Sequence, residues 1–353
     1  MNELMLREIH DQPRLVAEEL ARLREESRAA AARVTETTTR VILTGCGDSW
    51  IAGLALESAI RSLLGPTRPV HVVQSLEAAR YFPFGPGDLL VAGSVSGGVA
   101  RTIEAVEAAQ RGGALVVGMT ARPDSKLGAL ASAVIRLPEP IARNTPHSRD
   151  YLGTLLALAT FFEAMAGQTI APLDTLADLL SSHMSQWEQE AWTAGEILSS
   201  APRLFLLGAG PSWANAIYGA AKFWEAGGLL AIAQEIEEFA HGPHMLVRRG
   251  DAAILVAPSG PSGDRAARVL PGLSRLGVRG VIIADNPAGF DDAELVTIPP
   301  FPDLWSPFIT AVPLQLLCYA TATFEGLDVT LPLGGHPDGP GYQTVHMDWT
   351  RGD

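Results

Sequence analysis

The chain has 353 residues, 47% hydrophobic and 18% charged. That is enough for about two domains, each burying its own core, with too many charges for a membrane protein and too few for a disordered one. The formal charge is −13 at pH 7 with no concentrated basic surface, which excludes a DNA or RNA partner.

The only cysteines, Cys46 and Cys318, lie in apolar segments, against a disulfide scaffold or a Cys-based zinc site. The N-terminus is polar where a signal peptide needs an apolar core. The longest apolar stretches, 152–167 and 308–324, are broken by Glu163 and by Pro313 with Gln315, so no membrane span is expected. A soluble cytoplasmic protein is expected.

In chain order, residues 3–32 place Leu15, Val16, Leu20 and Leu23 at helical spacing among many charges and predict a helical arm. A strand over 40–44, the turn Gly45-Cys-Gly-Asp-Ser49 and a helix to about residue 63 follow. A strand over 89–92 enters Gly93-Ser-Val-Ser-Gly-Gly98 and a helix near 99–111. Strands at 114–119 and 133–137 and an apolar helix over about 148–166 complete this half.

The second half repeats the order. A strand over 203–207 leads into Gly208-Ala-Gly-Pro-Ser212 and a helix, and one over 253–257 into Pro258-Ser-Gly260 and a helix near 263–276. Strands at 278–284 and 294–298 precede an apolar helix at about 308–324. Gly47 pairs with Gly210 and Ser94 with Ser259, at offsets of 163 and 165 residues, which marks an internal duplication.

Strands alternating with helices predict parallel sheets, because a helix is the simplest parallel crossover. The expected fold class is α/β: two tandem doubly wound parallel sheets, each a three-layer α/β/α sandwich, behind an N-terminal helical arm. The expected division is an arm at 1–34, a first domain at 35–168, a helical connector at 169–200, a second domain at 201–330, and a tail at 331–353 closing over the site. Ligands of such sheets bind outside the carboxyl ends of the strands. There the first-half turns offer free N–H groups and positive helix ends, with hydroxyls from Ser49, Ser94 and Ser96. Ser and Gly also cap helices and make turns with no ligand involved. Two such loops in one half, one spaced S-x-S-G, favour a phosphate or a sugar. Neither loop is GxGxxG and no acidic ribose anchor stands out, so no dinucleotide is expected.

Five motifs occur in order: Glu8-Ile9 with Gln12-Pro13, the two serine–glycine turns, His241-Gly-Pro243, and Val312-Pro-Leu-Gln-Leu-Leu317 followed by Gly326-Leu-Asp-Val329. Together they resemble the sugar isomerase (SIS) family, specifically the isomerase half of glucosamine-6-phosphate synthase and its free-standing relatives. The resemblance covers nearly the whole chain. It implies two SIS domains, no cofactor, and aldose–ketose proton transfer on a sugar phosphate. The family's proton-shuttling glutamate, sixteen residues before the His-Gly-Pro histidine, corresponds to Glu225. Its neighbours Phe223, Trp224, Ala226 and Gly227 predict a carboxylate whose pKa is raised by desolvation. From the residues alone, a surface Glu paired with Lys222 is the favoured reading.

By the same resemblance, His241 is the acid/base on the ring oxygen. The neighbouring subunit supplies it, which implies a homodimer with shared sites, and Glu238 supports it. Glu225 and His241 are expected to converge on one pocket beside the serine turns. Ser148 falls at a family threonine, with Arg143 or Arg149 as an anion clamp and a capping Ser with solvated arginines as the alternative. Pro243 breaks any helical pairing of His241 with His244, so no metal is expected.

Departures from the family shape the expected chemistry. The synthase's glutaminase domain has no counterpart here, so glutamine-dependent amidotransfer is not expected of this chain alone. No Lys follows Lys222, where the synthase has a ring-opening lysine; the tail offers His336 and Tyr342 instead. Asp48 replaces the usual Thr, and Val95 and Val99 the usual Gln and Thr, while Ser49, Ser94, Ser96 and Thr102 remain. A carboxylate about 4 Å from a phosphate costs about 1 kcal/mol in water, so Asp48 suits a sugar hydroxyl or an amine better. The sequence therefore predicts a sugar-phosphate deaminase, deglycase or aldose–ketose isomerase working through an enediol or enolamine. The alternatives are a biosynthetic enzyme acting on an unphosphorylated amino or glycated sugar, and a non-catalytic sugar-phosphate sensor.

Overall fold

The computed structural model describes residues 3–141 and 146–350. The chain divides into two compact units, one of residues 1–13, 141–148 and 175–343, the other of residues 14–140, 149–174 and 344–353. The arm is the single helix α1 (Glu3–Ala31), which buries Met5, Ile9, Leu15, Val16 and Leu23 along one stripe.

The unit built on the first half holds β1 (Arg40–Gly45), α2 (Asp48–Leu64), β2 (Val70–Gln74), α3 (Ser75–Arg80) and β3 (Asp88–Gly93). It continues with α4 (Ala100–Arg111), β4 (Leu115–Thr120), α5 (Lys126–Leu130), β5 (Ala133–Arg136) and α6 (Arg149–Ala166). All its strands are parallel, in the order β2-β1-β3-β4-β5. The central strands read as unbroken apolar runs because helices cover both faces. Ile42, Leu90 and Val116 pack with Ile103 and Val106 of α4 and Leu127 of α5.

The second unit repeats the winding with α7 (Leu176–Ser199), β6 (Leu204–Gly208), α8 (Pro211–Gly227), β7 (Ala231–Glu235), α9 (Ile236–His241) and β8 (Ala252–Val256). Then come α10 (Gly263–Arg275), β9 (Arg279–Ala284), β10 (Ala293–Thr297) and α11 (Pro307–Phe324), and α12 (Gly339–Thr350) lies near the C-terminus. The parallel order β7-β6-β8-β9-β10 matches the first sheet element for element. Among the described residues α11 is the one helix long and apolar enough to cross a bilayer, and it is 83% buried inside the protein.

The duplication extends to side chains. Arg40 holds Asp88 through Nε and Nη2, both at 2.7 Å, and the Gly85 N–H donates to the same carboxylate at 2.8 Å. In the second unit Arg203 holds Asp251 at 3.0 and 2.8 Å, and the Arg248 N–H donates at 2.6 Å. Bidentate clasps of this kind are the strong form of the ion pair.

Candidate active site

In the first sheet the strand order reverses between β1 and β3, and ligands of such sheets bind outside the carboxyl ends of the strands at that point. Ser49 sits over it. A Cβ on Gly45 would lie 2.8 Å, and one on Gly93 3.1 Å, from the Ser49 Cβ, so glycine at both strand ends is what admits this side chain. Gly47 caps α2 at φ 55 and ψ −131, a conformation closed to other residues.

The second loop is ordered by its own serines. The Ser94 hydroxyl, buried, accepts the Gly97 N–H at 3.1 Å, while the exposed Ser96 accepts the Gly98 N–H at 3.4 Å. Thr102 is fully buried, its hydroxyl 3.1 Å from Ser75 Oγ and 3.8 Å from Cys46 Sγ. It therefore supports the loops from beneath. Sequence reasoning missed Trp50, whose buried indole N–H has no partner among the described residues. Asp48 is half-buried in the first turn of α2. Burial, with the Asp48 charge adding to it, pushes the Tyr151 phenol well above its ordinary pKa.

The equivalent turns of the second unit are poorer in free donors and carry carboxylates. Its cap, Gly210, keeps the same conformation, φ 54 and ψ −129, but Pro211 removes a donor at the helix start. The Ser259 N–H is taken by Asp285 at 2.6 Å. The Asp303 carboxylate, its pKa raised by burial, occupies the space a side chain on Gly260 would need.

The second unit's distinctive feature lies on α8. Lys222 is 0% exposed, and its Nζ is 2.7 Å from Glu225 Oε2 and 5.0 Å from the centre of the Tyr218 ring. Glu225 itself is 40% exposed. The expected apolar enclosure of this carboxylate is not found. Phe223 turns into the core and Trp224 outward, leaving Glu225 at the surface against a buried cation. The turn over 332–335 packs on this end of α8: a Cβ on Gly334 would lie 3.1 Å from the Ala226 carbonyl.

The remaining candidates are more dispersed. His241 ends α9, 71% exposed, with Nε2 3.2 Å from Glu237. Among the described residues its ion-pair partner is Glu237, on its own helix. Glu238 is exposed, and its backbone N–H caps onto Glu235. His336 and Tyr342 are exposed in the tail, with His336 Nδ1 accepting the Asp338 N–H. Ser148 is fully buried and donates its hydroxyl to Glu8 at 3.3 Å. Arg149 donates to the Glu139 carbonyl, and Arg143 lies outside the described residues.

A family model described as the SIS domain matches residues 36–164 and again 197–323. The isomerising glutamine–fructose-6-phosphate aminotransferase of Pyrobaculum aerophilum is 28% identical over 343 residues, covering 93% of this chain and 56% of the relative. That of Gloeobacter violaceus is 26% identical, covering 93% and 57%. The chain thus spans little more than half the length of these relatives. In fold it is similar to the C-terminal domain of glucosamine-fructose-6-phosphate aminotransferase from Francisella tularensis, with a TM-score of 0.81, 22% identity and coverage of 92% of this chain and 97% of that one. Glucosamine-6-phosphate deaminase from Thermotoga maritima matches at 0.72, with 19% identity and coverage of 92% and 96%. Tagatose-6-phosphate ketose/aldose isomerase from Escherichia coli matches at 0.77, with 21% identity and coverage of 93% and 94%.

Proposed function

The chain belongs to the SIS domain family, and on that premise we propose that it is an enzyme of amino-sugar metabolism. It isomerises a hexose phosphate or removes nitrogen from its C1 or C2. The first-half loops hold the anionic end of the substrate, with N–H groups and the hydroxyls of Ser49, Ser94 and Ser96. Glu225 takes the acidic proton from C2 of the open-chain aldose form and returns it to C1, through an enediol, or an enolamine when nitrogen is at C2. With an amino sugar the resulting C2 imine adds water and releases ammonia, giving the ketose phosphate. His241, supplied by the second subunit of a homodimer, opens the ring, with His336 and Tyr342 in the tail as its helpers.

The observation that carries this reading is the fully buried ammonium of Lys222 against the solvent-reaching carboxylate of Glu225. A charge so placed is expensive for stability alone, which supports a part for the pair in the chemistry. Incubating the protein separately with fructose 6-phosphate and glucosamine 6-phosphate, with products followed by NMR and an ammonia assay, tests it. Turnover of either sugar phosphate supports the reading, and inertness toward both contradicts it.

Asp48 supports a second reading: a site for an unphosphorylated amino or glycated sugar, whose ammonium the carboxylate would attract where it would repel a phosphate. Faster turnover of glucosamine than of its 6-phosphate would favour it.

A further inference from the structure

Two motifs at opposite ends of the chain, Gln12-Pro13 and Val312-Pro-Leu-Gln315, have no part in the proton transfer itself. Their glutamines meet: Gln12 Nε2 donates to Gln315 Oε1 at 2.5 Å. Gln315 Nε2 donates to the Tyr218 hydroxyl at 2.9 Å and to the Ser148 carbonyl at 3.3 Å, and the Tyr218 hydroxyl donates to the His147 carbonyl at 3.1 Å. Gln12, Gln315 and Tyr218 are all fully buried. In dry surroundings such bonds are orienting as well as strong, so the Tyr218 ring is fixed in place and in tilt.

What that ring faces is the Lys222 ammonium, 5.0 Å from its centre. Tyr218, Lys222 and Glu225 follow one another at four and three residues along α8 and share a face. We propose that Tyr218 and Gln315 are positioning residues that hold the Lys222 ammonium against Glu225 through the catalytic cycle. The inference rests on the reading of Glu225 as the proton-transfer base. Once Glu225 has taken the substrate proton its carboxyl is neutral, and the buried ammonium loses that counter-charge. The face of Tyr218 then helps to hold it in place. Cys318 of α11 lies within electrostatic reach of both groups, and burial pushes its thiol up, so it stays protonated and adds no charge.

The test is the rate of deuterium entry into fructose 6-phosphate in D2O, measured against pH for wild type, Tyr218→Phe, Tyr218→Leu and Glu225→Gln. Without the ring the ammonium is less firmly held, Glu225 is harder to ionise, and the acid limb of the rate moves to higher pH. Tyr218→Leu is expected to lower kcat about tenfold with that shift and with KM nearly unchanged. Tyr218→Phe keeps the face but loses its anchor, so about a threefold loss and a smaller shift in the same direction are expected. It also retains the core volume should the leucine variant fail to fold. Lower melting temperatures with kcat and the acid limb at wild-type values would assign Tyr218 a purely structural role and overturn the inference. Exchange by Glu225→Gln at the wild-type rate would overturn the underlying reading instead, whatever the Tyr218 variants do.

Discussion

The ammonium of Lys222, sealed from solvent, lies 2.7 Å from the carboxylate of Glu225 on the last turns of α8. The duplication shows how unusual this is. At the constant offset of 163 residues that links Arg40 to Arg203, Asp88 to Asp251 and Gly47 to Gly210, the first half has Ala55, Ala59 and Ser62 in place of Tyr218, Lys222 and Glu225. The Arg–Asp clasps recur in both units and serve the scaffold. The lysine–glutamate pair stands on one copy only, where the other copy has buried Ala59 and exposed Ser62, so the common scaffold does not require it.

Breaking that pair from its two sides should have unequal effects. Glu225→Gln leaves a buried cation without its carboxylate and is expected to cost about 1–3 kcal/mol, less than for a fully buried pair because Glu225 reaches solvent. Lys222→Met removes the buried charge itself and should cost less. Urea denaturation of both variants decides the order, and a larger loss in Lys222→Met would contradict this account.

Asp48 should tune the choice between phosphorylated and free sugars. Asp48→Thr removes a negative charge at the start of α2, and KM for fructose 6-phosphate is expected to fall about fivefold, the equivalent of about 1 kcal/mol. An unchanged KM would remove Asp48 from the anion's surroundings.

The two cap glycines separate strain from binding. A Cβ at Gly47 or at Gly210 meets nothing within 4 Å, so alanine at either position introduces backbone strain alone. Each substitution should cost about 1–3 kcal/mol of stability. Only Gly47→Ala should also raise KM, since the equivalent turns of the second unit carry the carboxylates of Asp285 and Asp303. Equal effects on KM would contradict the assignment of the anion cradle to the first half.

Acid sensitivity should trace to the Arg40–Asp88 clasp. Burial raises the Asp88 carboxyl, but hydrogen bonds from Arg40 and the Gly85 N–H outweigh it and hold the group below its ordinary value. Its contribution to stability is complete above the ordinary aspartate pKa of about 3.9 and is lost as pH falls through the lower folded value. Asp88→Asn should therefore destabilise at neutral pH and flatten the stability curve below about pH 4. Parallel wild-type and variant curves would contradict this.

Much of the fold was legible because buried parallel strands such as Val41–Leu43 and Leu89–Ala92 are continuous apolar runs between glycine turns. The edge strands β2 and β7 were not legible. His71 and Gln74 in one, and Gln234 and Glu235 in the other, interrupt the apolar signal, because edge strands are only partly covered. The loops proposed to cradle an anion could be located from their serines and glycines. Local composition could not reveal that Lys222 is buried, because α11, far away in sequence, packs on its helix. The same limit misled the reading of Glu225: Phe223 and Trp224 suggested enclosure, but helical periodicity turns one inward and the other outward.

The central claim concerns a proton and is most directly tested by watching that proton. In D2O, wild-type protein should introduce deuterium at C1 of fructose 6-phosphate or at C2 of glucosamine 6-phosphate. Glu225→Gln, folded and still binding the sugar, should slow that incorporation by at least about a hundredfold. Wild-type exchange rates in the glutamine variant would contradict the account.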